Sequence, residues 1–148
     1  MFDYAAYEKA CAKVQEKNEE YLDLFETELK KSGLSEKTVL RHLRNVDFYI
    51  NTYLLREEPR SMEDGTMFID FFLGDFFIRK CMWSTPGNIK TNAASIKKFY
   101  KCMLDNKKIV KSSYDYLCND IKENLSTWQI NCELYNDPDA PSPFFCPF

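Results

Sequence analysis

The apolar residues of this chain recur three or four positions apart in five successive segments. Such spacing places them on one face of an α-helix, because the helix completes a turn every 3.6 residues. Glycine accounts for only 4 of the 148 residues, which disfavours a turn-rich β-sandwich. The sequence therefore predicts an all-α protein.

Start and stop signals separate the predicted helices. The first helix runs from about Asp3 to Lys31, has a weak point in its polar stretch near residues 17–19, and ends at Gly33, which favours a left-handed conformation. Pro86 suits the first turn of the fourth helix. The second to fifth helices each follow a side chain that can cap a first turn. In chain order these caps are Ser35, Thr66 or Asp64, Thr85, and Ser112 or Ser113.

The third helix, residues 67–80, is apolar nearly all round and should be the most buried element. Its aromatic residues are interpreted as core rather than as a ligand pocket. The fifth helix carries an apolar stripe that includes Leu117, Ile121, Trp128 and Cys132. Residues 1–135 are thus expected to form one helical domain. Residues 136–148 contain four prolines and cannot be helical.

Six cysteines and the single histidine, His42, lie far apart in the sequence. Zinc sites need ligands at short spacing, so we expect no metal and no other cofactor. The N-terminal residues lack the pattern of a signal peptide, and no apolar run could span a membrane. We therefore expect a cytoplasmic protein without disulfides, whose cysteines are mostly core residues, with Cys146 as an exposed thiol in the tail.

Charge is strongly segregated along the chain, although the formal net charge is only −3. Residues 30–56 carry six positive and two negative side chains, and residues 79–111 carry nine and one. The three remaining blocks are acidic. Segregation of this kind creates local fields whatever the net charge. The alternative is that the basic helix faces are merely solvated.

The basic residues of interest lie on two helices. The second helix carries cations opposite its apolar stripe, together with Asn45, and the fourth carries lysines on an exposed face. These candidate DNA-binding residues are Lys37, Arg41, Arg44, Lys90, Lys97, Lys98 and Lys101. Catalytic motifs are absent, since the chain has no nucleophile elbow, phosphate-binding loop, dinucleotide fingerprint or zinc-protease motif. His42 lies between the apolar and basic faces, where a histidine is more often a boundary residue than a base. No catalytic residue is assigned.

The segments YLDLFETELKKSGLSEKTVLRHLRNVDFYINTYL, MFIDFFLGDFF and STPGNIKTNAASIKKFYKCMLDNKKI resemble the N-terminal SAM-like core-binding domain of tyrosine recombinases, the phage integrase family. The shared features are mainly packing positions and cover about 90 residues. The resemblance implies an orthogonal four-helix bundle over about residues 20–108, with an extra C-terminal helix. It also implies DNA integration or recombination as the setting, with the second and fourth helices facing the DNA.

The resemblance does not extend to the chemistry of that family, which uses a tyrosine nucleophile in a separate catalytic domain. Only a helix and a proline-rich tail follow Ile109, so we expect no strand cleavage by the chain as given. The leading hypothesis is a DNA-binding module, either part of a longer integrase or a stand-alone relative, that binds duplex DNA weakly. The fifth helix either covers the core or binds a recombinase or a second copy.

Two alternatives to DNA binding stay open. One is a protein-interaction module that keeps the helical bundle without binding DNA, which the overall acidity supports. The weakest is a small-molecule-binding regulator that uses the aromatic third helix as a pocket.

Overall fold

The structure, a computed structural model, describes residues 2–144, and in that range it contains helices and no strands. The all-α prediction is confirmed. Four long helices form most of the fold, and two short helices lie between the second and third of these. The bounds are α1 Tyr4–Lys31, α2 Glu36–Asp47, α3 Ile69–Phe71, α4 Phe77–Lys80, α5 Pro86–Asp105 and α6 Lys111–Asn136. The predicted fourth and fifth helices correspond to α5 and α6.

Local capping explains where three of the long helices begin. The side chain of Asp3 accepts a hydrogen bond from the Ala6 N–H, and Ser35 does the same for Thr38. Thr85 caps α5, with Pro86 in its first turn. Gly33 has φ of +78° after the end of α1, and α1 is unbroken at residues 17–19. These signals act over a few residues, and the predicted helix ends based on them are confirmed.

Two predicted caps are wrong. No side chain caps α6, which follows the extended residue Val110 and already includes Ser112 and Ser113 in its first turn. The buried residue Ile109 fixes the chain just before this point, so the helix begins earlier than its serines indicate. Neither Thr66 nor Asp64 caps the third segment, because both lie within a preceding 3-10 helix, Glu63–Met67.

Two π-helical segments interrupt the expected regular helices. The α2 helix continues directly into π1, Phe48–Tyr53, and π2, Phe72–Phe76, separates α3 from α4. Each stacks its own rings four residues apart, Tyr49 on Tyr53 and Phe72 on Phe76. The segments also pack on each other, with ring centroids of Tyr49 and Phe72 4.9 Å apart. A wider helix turn thus accompanies a double layer of aromatic rings.

The α6 helix covers the core along α5 and π2. Leu117, Ile121, Trp128 and Cys132 are buried, as the apolar stripe predicts. The Trp128 indole N–H donates a hydrogen bond to Asp70 Oδ1 at 2.6 Å. The third segment is less completely buried than its composition suggests, since Phe71 is 60% exposed. A partner for α6 stays a prediction.

The described cysteines are core or boundary residues. Cys81, Cys102 and Cys132 are buried, Cys11 and Cys118 are half-buried, and these five are unbonded to one another. Cys146 lies outside the described residues. Residues 137–144 contain no helix. Within residues 2–144 no helix is long and apolar enough to cross a membrane.

Candidate nucleic-acid interface

The α2 and α5 helices lie side by side, and their contact centres on Ser95. Its hydroxyl oxygen lies 2.8 Å from His42 Nδ1 and accepts a hydrogen bond from Asn45 Nδ2 at 3.0 Å. Ser95 is fully buried, and His42 is nearly so. These bonds satisfy polar groups inside the contact and fix the position of one helix along the other.

Two cations flank this buried contact, one on each helix. Arg41 adjoins His42 on α2, and Lys98 lies one turn after Ser95 on α5; both are exposed. Burial lowers the pKa of the His42 imidazole, and the positive charges of Arg41 and Lys98 lower it further. Both cations therefore act on the same imidazole. Their convergence joins the two basic helices into one surface.

The other lysines of α5 share an exposed face of that helix. Lys90, Lys97 and Lys101 are spaced by seven and four residues, which places them on one exposed face. Lys101 Nζ contacts Asp105 Oδ1 at 2.8 Å. An exposed pair of this kind is worth only about 0.3–0.5 kcal/mol, so Lys101 remains available to another anion.

The candidate residues on α2 divide into two groups. Lys37 is exposed one turn before Arg41 and extends the surface along the helix. Arg44 instead lines a cavity of about 270 Å³ shared with Asp23 and Glu26 of α1. Acidic neighbours offset its charge. The α2–α5 basic surface is accordingly defined by Lys37, Arg41, Lys90, Lys97, Lys98 and Lys101, with Arg44 apart.

Sequence reasoning missed the buried polar contact between α2 and α5. Asn45 is half-buried and bonded to Ser95, so its assignment to the exposed basic face is wrong. His42 belongs to the buried face of α2 with Val39 and Val46, so the expectation of a boundary residue is wrong. The available signal was Ser95, which adjoins the apolar stripe of α5, because a hydroxyl that is buried there requires a partner.

The chemistry of the surface is that of an anion contact. Ammonium and guanidinium groups are donors that pair with phosphate oxygens. Residues 2–144 bring together no group of three or more histidine, cysteine or acidic side chains that could hold a metal ion.

Comparisons with protein-family models, with curated proteins and with solved structures found no match to the chain.

Proposed function

We propose that the chain is a DNA-binding module that contacts the phosphates of duplex DNA through the α2–α5 basic surface. The observation that carries the proposal is the contact of His42 and Asn45 with Ser95, because it holds side by side two basic helices that the sequence separates by about fifty residues. Lysine and arginine neutralise phosphates and release counterions, which supplies most non-specific affinity for DNA. The resemblance to the recombinase core-binding domain supports the same two helices.

The expected mode is positioning on the backbone rather than reading of bases. Five of the six residues that define the surface are lysine, whose ammonium acts as a point charge on phosphate without the planar fork that recognises guanine. Contacts to phosphate fix the register of a protein on the duplex but carry no sequence information. We propose that strand cleavage is not an activity of this chain, and that its setting is DNA recombination.

Fluorescence anisotropy with a labelled duplex of about two helical turns tests the proposal. We expect Kd on the order of 10⁻⁴–10⁻⁶ M at physiological salt, with a log–log salt slope of about −0.9 per phosphate neutralised. The Arg41→Glu and Lys98→Glu variants should each weaken binding and reduce the slope by about 1. Arg44→Glu should do less, because Asp23 and Glu26 already offset its charge.

A matched control is Lys122→Glu, which reverses an exposed lysine on α6 without touching the surface. It should bind the duplex like the wild type. The NMR signal of His42 is a second readout, unambiguous because the chain has one histidine. Bound phosphates should raise the pKa of His42, opposite to the effect of Arg41 and Lys98. Absence of duplex binding at low salt, or binding that leaves this pKa unchanged, would contradict the proposal.

The alternative function is a protein-interaction module, and exposed apolar residues on α6 favour it. Tyr116, Ile130 and Leu134 are 52%, 55% and 38% exposed and share one helix face. Light scattering after size-exclusion chromatography measures whether the chain self-associates, which is one form of the interaction-module alternative. A concentration-dependent dimer that Ile130→Glu abolishes, in a protein that does not bind duplex DNA, would favour this alternative.

A further inference from the structure

A second cationic site lies at the C-terminal end of π1, beyond the α2–α5 basic surface. It is a cavity of about 470 Å³ between the chain that follows π1 and the segment from Phe68 to Lys80. We call it the arginine–aromatic cavity; the lining residues that matter here are Tyr53, Arg56, Arg60, Phe68, Phe71 and Phe76. Its volume falls in the range of about 300–1,000 Å³ that is typical of small-molecule sites.

Aromatic rings hold both arginines in place. The guanidinium carbon of Arg56 lies 4.4 Å from the ring centroid of Phe76, and that of Arg60 lies 4.6 Å from the centroid of Phe68. A guanidinium over a ring face gains cation–π attraction and keeps its N–H edge free for a ligand. The two donors are therefore positioned before any ligand arrives, which lowers the entropy cost of binding.

The cations of the lining outnumber its carboxylates, since Arg56, Arg60, Arg79 and Lys80 line the cavity together with only Glu57 and Asp75. The Arg60 side chain is only 23% exposed, and its ion-pair partner, the exposed Glu58, lies 3.9 Å away. Among residues 2–144, no carboxylate lies within 4.0 Å of Arg56, and Asp75 is engaged by Arg79 at 2.7 Å. A largely buried cation is costly without a close counter-charge. An anionic ligand would supply that counter-charge.

Two independent features converge on the same cavity. Burial raises the pKa of the Tyr53 phenol, the positive charges of Arg60 and Arg56 act in the lowering direction, and the weaker effects of Asp75 and Glu57 act in the raising direction. Both guanidiniums therefore lie near this phenol. Tyr53 and Phe76 are also the last residues of π1 and π2, with ring centroids 5.1 Å apart. The π-helices account for well under about 1% of residues and occur frequently at functional sites.

We infer that the arginine–aromatic cavity binds a nucleoside phosphate, with the phosphate on Arg56 and Arg60 and the base on the exposed ring of Phe71. Paired guanidiniums match phosphate oxygens, and a base stacks on an aromatic face. Phe71 is 60% exposed, although it belongs to the most apolar segment of the chain. Lys80 adds a further cation to the lining. The inference does not depend on the proposed DNA contact.

Isothermal titration calorimetry of the full chain with ADP tests this site. We expect Kd on the order of 1–100 µM. Arg56→Gln and Arg60→Gln should each weaken ADP binding by about tenfold or more, because each removes charge-assisted donors. Phe71→Ala should weaken it about fivefold or more through lost stacking. Adenosine and inorganic phosphate, which each lack half of the ligand, should bind more weakly than ADP by similar factors.

Arg41→Gln is the matched control, because it removes a guanidinium from the α2–α5 basic surface and leaves the cavity intact. It should bind ADP like the wild type, and Arg56→Gln should bind duplex DNA like the wild type. NMR of the arginine Nε–H groups gives a direct readout, in which ADP should shift the signals of Arg56 and Arg60. The inference is overturned if ADP does not bind at millimolar concentration. It is also overturned if phosphate alone binds as tightly as ADP, or if a single-stranded oligonucleotide binds and ADP does not. An ADP affinity that is unchanged in all three variants, Arg56→Gln, Arg60→Gln and Phe71→Ala, would overturn it as well.

Discussion

Replacing Gly74 with alanine should destabilise the protein by about 2–5 kcal/mol, because the backbone of π2 passes directly beneath the Trp128 indole. A Cβ atom at this position would lie 2.7 Å from both Cδ1 and Nε1 of Trp128 and 2.8 Å from Asp70 Oδ1. Ordinary contacts of a Cβ atom begin near 3.4 Å. The indole must therefore retreat by about 0.7 Å or the helix must shift.

The magnitude has three contributions. Trp128 is 1% exposed, so its displacement overpacks the core at a cost of about 1–3 kcal/mol. The same displacement stretches the 2.6 Å bond from Nε1 to Asp70 Oδ1, and a hydrogen bond to a charged group is worth about 1.5–3 kcal/mol. Alanine also restricts the unfolded chain, which works in the opposite direction by about 0.4–1 kcal/mol. Destabilisation is the larger effect.

Urea unfolding followed by far-UV circular dichroism measures the change in the free energy of unfolding. Gly87→Ala is the matched control, since Gly87 lies in the first turn of α5 and its added Cβ would meet only Thr85 Oγ1, at 3.9 Å. That variant should be more stable than the wild type by about 0.4–1 kcal/mol. A Gly74→Ala protein as stable as the wild type would refute the close packing of α6 on π2.

Two further predictions follow from the buried titratable groups. Because the pKa of His42 is lowered in the folded protein by burial and then by Arg41 and Lys98, its stabilising contribution is complete above the unfolded pKa of about 6.5 and is lost as the pH falls below it. Urea unfolding at pH 7 and pH 5.5 should show this loss, and His42→Gln should remove it; an equal loss in the variant would assign the effect to other groups. Burial raises the pKa of the Cys81 and Cys102 thiols to about 11, so both should resist iodoacetamide at pH 8 in the folded protein and react in urea, as peptide mass mapping would show. Rapid alkylation of both without denaturant would contradict their burial.

The local signals of the sequence predict much of the fold. Asp3, Ser35, Thr85 and Gly33 act through hydrogen bonds and backbone conformations within one turn, so the boundaries they mark can be predicted without knowing the tertiary structure. The start of α6 could not, because the packing of Ile109 several residues before the serines decides it. The two π segments could not be predicted either, since each accompanies the packing of aromatic rings against a segment more than twenty residues away.

The sites differ in how far the sequence reveals them. The charge count predicts that α2 and α5 are basic. Only the packing of the helices shows that Arg41 and Lys98 both lie near His42, and that Arg44 lies beside acidic residues of α1. The sequence does not reveal the arginine–aromatic cavity. Arg56 and Arg60 flank two acidic residues, so the charge count does not single them out, and the aromatic residues of the third segment are interpreted as core. The alternative of an aromatic pocket in the third helix names a segment that lines this cavity but not its cations, and ligand binding there stays a proposal.

The position of α1 explains how a chain with net charge −3 can still attract DNA in the proposed manner. Residues 1–29 carry eight acidic side chains and three basic ones, and α1 packs along α2 on the side where Arg44 lies. At physiological salt the Debye length is about 8 Å, so a phosphate on the Arg41–Lys98 side is attracted by nearby cations while more distant carboxylates are screened. At about 0.01 M salt the Debye length grows to about 30 Å, so the carboxylates of α1 also repel the DNA phosphates. The salt dependence of duplex binding should therefore flatten at low ionic strength, and a uniformly steep slope down to that salt would argue for a surface farther from α1.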